Sequence, residues 1–268
     1  MKRLLACVAG AAALLAGFVA PPTSAAEAPS IMLLHGIPGV NVDVVVDGAV
    51  VIPNFKPGDM QDLSSFAGQT LKNLEVRLAG TETVAIGPVA EFPVPAEGNL
   101  TVVAHLDADG KPTLTAFVND TAATKAGEGR LTVRHTAAAP AVDIVLGDAR
   151  PFTNLVNGKE GKADLPAGSI AGAKIAPTGA DPIADVPTVE LKAGSNLIVY
   201  AVGSLADDTF TFYTQEITGL GGAPEVINTG GEAPSDGSVA TWMLVAGAAA
   251  LLSLSGLALG RRPATVNK

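Results

Sequence analysis

Val42-Asp43-Val44-Val45-Val46, closed by Asp47-Gly48, is the stretch on which the fold class turns. Apolar side chains broken by a polar one at period two make a strand with a buried face, and Asp-Gly is a tight-turn signal. Leu74-Glu75-Val76-Arg77-Leu78 and Phe210-Thr211-Phe212-Tyr213 repeat the alternation. Turn signals punctuate the chain at Lys56-Pro57-Gly58, Pro95-Ala96-Glu97-Gly98, Asp109-Gly110, Asn157-Gly158, Pro166-Ala167-Gly168 and Ala193-Gly194. No long helical period intervenes. The expectation is an all-β fold of antiparallel sandwiches, immunoglobulin-like or related, with seven or eight short strands each. With one Trp, two Tyr and eight Phe in 268 residues, the core has to be built from Val, Ile, Leu and Ala.

The strand-rich region is internally repeated. His35, Val42, Asp43 and Asn54 recur as His135, Val142, Asp143 and Asn154, displaced by one hundred positions, and Ala67-Gly68 recurs as Ala167-Gly168. Further on, Asn99-Leu100-Thr101-Val102-Val103-Ala104 matches Asn196-Leu197-Ile198-Val199-Tyr200-Ala201 at a slightly smaller displacement. A unit this long exceeds one solenoid turn and fits a domain. The division is therefore a first sandwich over 30–120 and a second over 129–218, joined at Lys125 to Gly129.

The ends are of another kind. Lys2 and Arg3, an apolar run from Leu4 to Ala20, and small residues after Pro21-Pro22 have the layout of a signal peptide, residues 1–26. Cys7 leaves with it, so the mature chain has no thiol for disulfides, nucleophilic attack or metal binding. Residues 219–238 are a Gly- and Pro-rich stalk. The uncharged segment 239–260 is long enough to cross a bilayer, and the basic tail 261–268 places the sandwiches outside the cell. Val226-Ile227-Asn228-Thr229-Gly230 resembles a sortase sorting signal, with Thr229 and Gly230 as the degenerate cutting site. Ile227 stands where that signal has Pro, which leaves membrane retention and wall attachment both open.

Charge excludes one class of partner. The chain has 17 Lys and Arg against 26 Asp and Glu, and five of the cations, Lys2, Arg3, Arg261, Arg262 and Lys268, sit in the two ends. An exposed region so acidic does not neutralise phosphates, so nucleic acid is not expected as a partner. The partners that remain are an envelope or extracellular polymer, a surface protein, and the membrane itself through the C-terminal helix.

Leu131-Thr132-Val133-Arg134-His135 followed by Pro140-Ala141-Val142-Asp143-Ile144-Val145 carries a resemblance. So does Met32-Leu33-Leu34-His35-Gly36-Ile37-Pro38 followed by Val42-Asp43-Val44. Both look like the opening signature of a bacterial surface family, the domain of unknown function 4397. Leu165-Pro166-Ala167-Gly168 resembles that family's later Leu-Pro-Ala-Gly segment, and the likeness spans about residues 30 to 217. It implies a secreted or surface-anchored β-domain, often in tandem, with no established activity.

One polar constellation occurs in both copies, His35 with Asp43 and His135 with Asp143. An imidazole N–H meeting the carboxylate across a tight loop would make a structural tie. The other reading is a general base or metal ligand, since His oriented by Asp is the centre of many hydrolytic sites. No Gly-x-Ser-x-Gly or His-Glu-x-x-His accompanies either pair, so the structural tie is preferred. His105 lacks a counterpart and is expected to face solvent or a neighbour. Asp107-Ala108-Asp109-Gly110 opens like a calcium loop but lacks the later ligands, so a hairpin turn is expected there, with weak calcium binding at Asp207-Asp208 left open.

No cofactor and no catalytic residue is assigned. The expected function is a non-catalytic, membrane- or wall-anchored surface module acting as an adhesion head or spacer. The alternative is an extracellular hydrolase on an envelope polymer, which needs paired carboxylates in a cleft. An exposed cluster of Tyr200, Tyr213 or Phe would mark a binding face.

Overall fold

A computed structural model describes residues 28–221. The signal peptide expected at 1–26, nearly all of the stalk including Thr229 and Gly230, the membrane segment at 239–260 and the basic tail at 261–268 lie outside the described residues. No helix among the described residues is long and apolar enough to cross a membrane.

The described chain is all-β. Its first half contains β1 (Ser30–His35), β2 (Val42–Val46), β3 (Ala49–Phe55), β4 (Met60–Asp62), β5 (Thr70–Leu78), β6 (Val84–Pro93), β7 (Asn99–Leu106) and β8 (Pro112–Val118). The second half contains β9 (Glu128–Ala138), β10 (Val142–Leu146), β11 (Ala149–Leu155), β12 (Lys159–Pro166), β13 (Gly168–Ile170), β14 (Ala173–Pro177), β15 (Ala184–Asp185), β16 (Val189–Leu191), β17 (Asn196–Ser204) and β18 (Thr211–Ile217).

Sheets of order β4-β1-β7-β8 and β3-β2-β5-β6 form the first half; the second has β12-β9-β17-β18, β11-β10-β14-β15 and a small β13-β16 pair. The two orders coincide when β9 to β12 are read as β1 to β4, β14 and β15 as β5 and β6, and β17 and β18 as β7 and β8. In place of the long strand β6 the second half has the short β15 and β16, in a stretch that carries Pro182 and Pro187.

Each half closes two sheets over its own core. Leu33, Val102 and Ala104 meet Val44, Ile52, Leu74 and Ile86 in the first. Leu131, Val133 and Val199 meet Ile144, Phe152 and Ile175 in the second. The antiparallel expectation needs correction at one pairing in each half. β1 runs parallel to β7, and β9 parallel to β17. Alternation reports which face of a strand is buried and carries nothing about direction, and the long path through the opposite sheet lets the chain re-enter in the same sense.

A third core joins the halves. Leu34, Val103 and Phe117 pack on Ile198, Tyr200 and Val202, with Met60, Tyr213 and Ile217 at the margin. The sheet β4-β1-β7-β8 therefore lies face to face on β12-β9-β17-β18, and the central strands of both are buried on two sides. This accounts for the unbroken apolar run of β17, in which all nine residues are buried, since a strand covered on both faces has no reason to alternate.

The packing has the reciprocity of a two-fold interface. Val103 pairs with Thr115 across β7 and β8, and Tyr200 pairs with Tyr213 across β17 and β18, so Thr115 and Tyr213 are equivalent positions. Gly58 lies against Tyr213, and its counterpart Gly158 lies against Thr115. Each half offers the same patch to the other, as in an isologous dimer.

Candidate functional site

The two His and Asp pairs occupy equivalent loops, but the expected tie between them does not form. His35 Nε2 donates to Val40 O at 2.9 Å while Nδ1 accepts from Ile37 N–H at 3.4 Å. His135 does the same with Pro140 O at 2.9 Å and Ala137 N–H at 3.4 Å. Both rings are buried. Burial lowers both pKa values below the usual imidazole range, with the carbonyl contact opposing it only in part. The neutral Nε2–H tautomer satisfies both nitrogens with backbone, and its one acceptor lone pair, on Nδ1, faces a backbone N–H, which leaves no free ring nitrogen for a proton transfer or a metal.

The aspartates serve a different loop. Asp43 accepts from Asn54 N–H at 2.7 Å and Gly80 N–H at 2.9 Å. Asp143 accepts from Asn154 N–H at 2.9 Å and Gly179 N–H at 3.2 Å, and Arg150 adds an ion pair at 2.8 Å. These donors hold both carboxyls below the usual carboxylate range. Asn54 and Asn154 sit at φ 50° and 53°, a left-handed conformation that Asn tolerates and that the aspartate fixes. Histidine and aspartate thus brace separate turns around one strand, β2 or β10.

His105 faces a neighbour rather than solvent. It is fully buried, with Nδ1 on Leu106 O and Nε2 on Thr115 Oγ1, both at 2.8 Å. Burial lowers its pKa. The loop at Asp107 is a hairpin whose carboxylate accepts from Asp109 and Lys111 N–H. Among the described residues no group of three His, Cys, Asp or Glu is placed to hold a metal ion.

The densest polar chemistry lies between the halves, where none was expected. Arg134 on β9 is fully buried. Its Nε meets Glu160 at 2.8 Å, its other nitrogens donate to Tyr200 Oη and Asn119 Oδ1 at 2.8 Å, and its guanidinium stacks 4.5 Å from the Phe117 ring centroid. Tyr200 Oη donates to Gln215 at 2.6 Å, and Thr101 Oγ1 reaches the same Gln215 oxygen at 3.0 Å. Asn157 Nδ2 clamps Leu106 O of the first half and Ala137 O of the second, at 2.9 and 2.7 Å. Arg130 fixes the connecting segment through Asp120 at 2.8 Å and binds Asp164 with two nitrogens. Among the described residues no buried polar side-chain atom is left without a partner. Neither tyrosine offers an exposed binding face, since Tyr200 is buried in the junction and Tyr213 closes its margin, while Phe210 and Phe212 pair edge-to-face, half-buried against the second core.

One signal for this cluster was present in the sequence. Arg134 interrupts an apolar strand at the position where the first copy has Leu34, and its partner Glu160 stands where the first copy has Met60.

Between β8 and β12 the junction opens into a shallow groove of about 540 Å³. Its walls are Ala116 to Ala122 on one side and Gly158, Lys159, Glu160 and Lys162 on the other. A second groove, of about 380 Å³, opens between β16 and β18 where the broken strand leaves the core uncovered.

The comparisons with known proteins bear on the first half and the start of the second. Residues 29–145 match the family model described as Domain of unknown function (DUF4397). The match takes in the whole first sandwich and continues through β9 to Val145 in β10, so both His and Asp pairs lie within it. No curated protein matches the chain.

Proposed function

We propose that this protein is a non-catalytic bacterial surface module. It is exported by residues 1–26, held by the apolar segment 239–260 or by wall attachment at Thr229-Gly230, and carries two tandem DUF4397-type sandwiches of immunoglobulin-like kind. The sandwiches act as one stiff head that spaces or docks a partner away from the membrane. The observation that carries the reading is the junction. Two sheets whose central strands are buried on both faces, with a satisfied buried arginine between them, are what a rigid connection requires.

The charge states add support. Among the described residues the carboxyls whose acidity is shifted, Asp43, Asp62 and Asp143, are held down by hydrogen bonds, whereas the hydrolase alternative needs a carboxyl raised towards neutrality. Labelling of intact cells with a membrane-impermeant amine reagent, followed by envelope fractionation, tests the reading. Labelled protein recovered with membranes, or released by wall digestion, is the expected result. Protein labelled only after lysis and recovered in the cytosol would refute it.

A further inference from the structure

Asn157-Gly158 is the one Asn-Gly dipeptide in the chain. Every other asparagine is followed by a residue whose side chain crowds its own backbone nitrogen. Glycine has no Cβ, so its nitrogen can turn onto the side-chain carbon of the asparagine before it. The dipeptide makes the turn between β11 and β12, with Gly158 at φ 77°. At the equivalent turn the first half has Pro57-Gly58, which carries no side-chain amide.

Asn157 is also a tie between the halves. Its Nδ2 donates to Leu106 O at the end of β7, at 2.9 Å, and to Ala137 O on β9, at 2.7 Å. Beside it the Gly158 N–H donates to His135 O at 2.7 Å. The two flanks of the junction are thus closed by different means. Tyr213 covers Gly58 so closely that a Cβ there would stand 3.0 Å from the ring, whereas a Cβ on Gly158 would be 4.0 Å from the Thr115 hydroxyl. On that second flank the Asn157 amide makes the link. The side chain is half-buried, so water reaches it.

Deamidation of such a pair begins when the glycine nitrogen gives up its proton and attacks the asparagine Cγ. The N–Cγ bond forms, the Cγ–Nδ2 bond breaks, and the amide nitrogen leaves as ammonia with the proton given up. Water then opens the cyclic imide, at the Cγ–N bond to give aspartate or at the backbone C–N bond to give isoaspartate. Water enters, ammonia leaves, and no oxidant is needed. In the closed junction the Gly158 proton is held by His135 O, and turning the Asn157 side chain would break both bonds of Nδ2. The product cannot restore the tie, because a carboxylate has no proton for Leu106 O and Ala137 O and repels both.

We propose that Asn157-Gly158 is a self-modification site gated by the junction: it deamidates when the halves part, and the resulting carboxylate prevents the same closure. The head then keeps a one-way record of having opened. The gate depends on the closed junction of the rigid-head reading and on nothing about export or anchoring.

Peptide mapping by mass spectrometry on the purified full chain, held at mildly alkaline pH, measures the rate at Asn157, with free peptides of residues 153–163 as the open reference. Reaction from an opened state scales with the population of that state, so the wild type is expected to react at least about tenfold more slowly than its peptide. Glu160→Met, referred to a peptide with the same change, is expected to react about fivefold faster than wild type or more. Gly58→Ala, on the opposite flank and remote from the dipeptide, should react about twofold faster or more. Asn157→Asp, the product, should melt about 3 °C lower or more. A wild type that reacts at the peptide rate, a rate indifferent to both junction variants, or an Asn157→Asp that melts with the wild type would overturn the proposal. Dipolar couplings of the unmodified protein separate the two levels: one shared alignment tensor with a peptide-like rate refutes the gate alone, and two tensors refute the rigid head beneath it.

Discussion

Glu160→Met is the substitution that weighs the junction most clearly. Arg134 is fully buried and Glu160 is 21% exposed at the side chain, with 2.8 Å between them. Removing one partner of a buried pair costs about 3–5 kcal/mol, because a charge is left uncompensated out of water. Arg134 would keep Tyr200 Oη, Asn119 Oδ1 and the face of Phe117, and the exposed side of the site admits some water, so the lower end applies, about 3 kcal/mol. In a unit of this size that lowers the melting temperature by about 6–12 °C. The first half shows what the same positions look like without charge, Leu34 with Met60. Adding Arg134→Leu to Glu160→Met should therefore recover at least half of the loss, because a packed apolar pair commonly replaces a buried ion pair at little cost. Urea denaturation of wild type, both single variants and the double variant gives the coupling energy, expected near 2 kcal/mol. A Glu160→Met loss below about 0.5 kcal/mol, or a double variant no better than the single, would refute the idea that Arg134 is a compensated buried charge.

Three further outcomes follow from the same geometry. Folded His35, His105 and His135 have pKa values below the unfolded value of 6.5, so the unfolded chain takes up protons first. Their contribution is complete above that value and is lost as pH falls, by up to about 1.4 kcal/mol per pH unit for each ring still neutral; urea midpoints at neutral and mildly acid pH should show the decline, and His135→Gln should flatten it. Gly58 at φ +85° and Gly158 at φ +77° both occupy a conformation that favours glycine, so either change to Ala costs about 1 kcal/mol, and thermal melts should show Gly58→Ala as the worse because its new methyl meets the Tyr213 ring. Asp43→Ala should speed amide exchange at Asn54 and Gly80, and Asp143→Ala at Asn154 and Gly179, with the other half of the protein unaffected in each case.

The parts of this fold that were legible in the sequence are those with one wet face. β2 and β5 show their alternation at Val42-Asp43-Val44 and Leu74-Glu75-Val76, where the apolar residues are the more buried, although Val45 is buried as well, and the turns at Asp47-Gly48 and Asn157-Gly158 fall where their dipeptides predict. β17 was legible only as a repeat block, since burial on both faces erased its period. The parallel pairings of β1 with β7 and β9 with β17 leave no mark in composition. The His and Asp pairs were visible as residues and misread as partners, because eight positions of separation is equally compatible with two loops braced separately. The depression between β8 and β12 was not legible, because Tyr213 and Thr115 become equivalent positions only once the strand pairing is known.

The account stands or falls on the two sandwiches being one rigid body. Residual dipolar couplings for backbone amides in 30–118 and 128–217, fitted separately in one weakly aligned sample, measure this directly. A single alignment tensor should fit both sets, with the same magnitude and orientation. Two tensors of different magnitude would mean that the halves move independently, and would contradict the junction, the stiff head and the groove together.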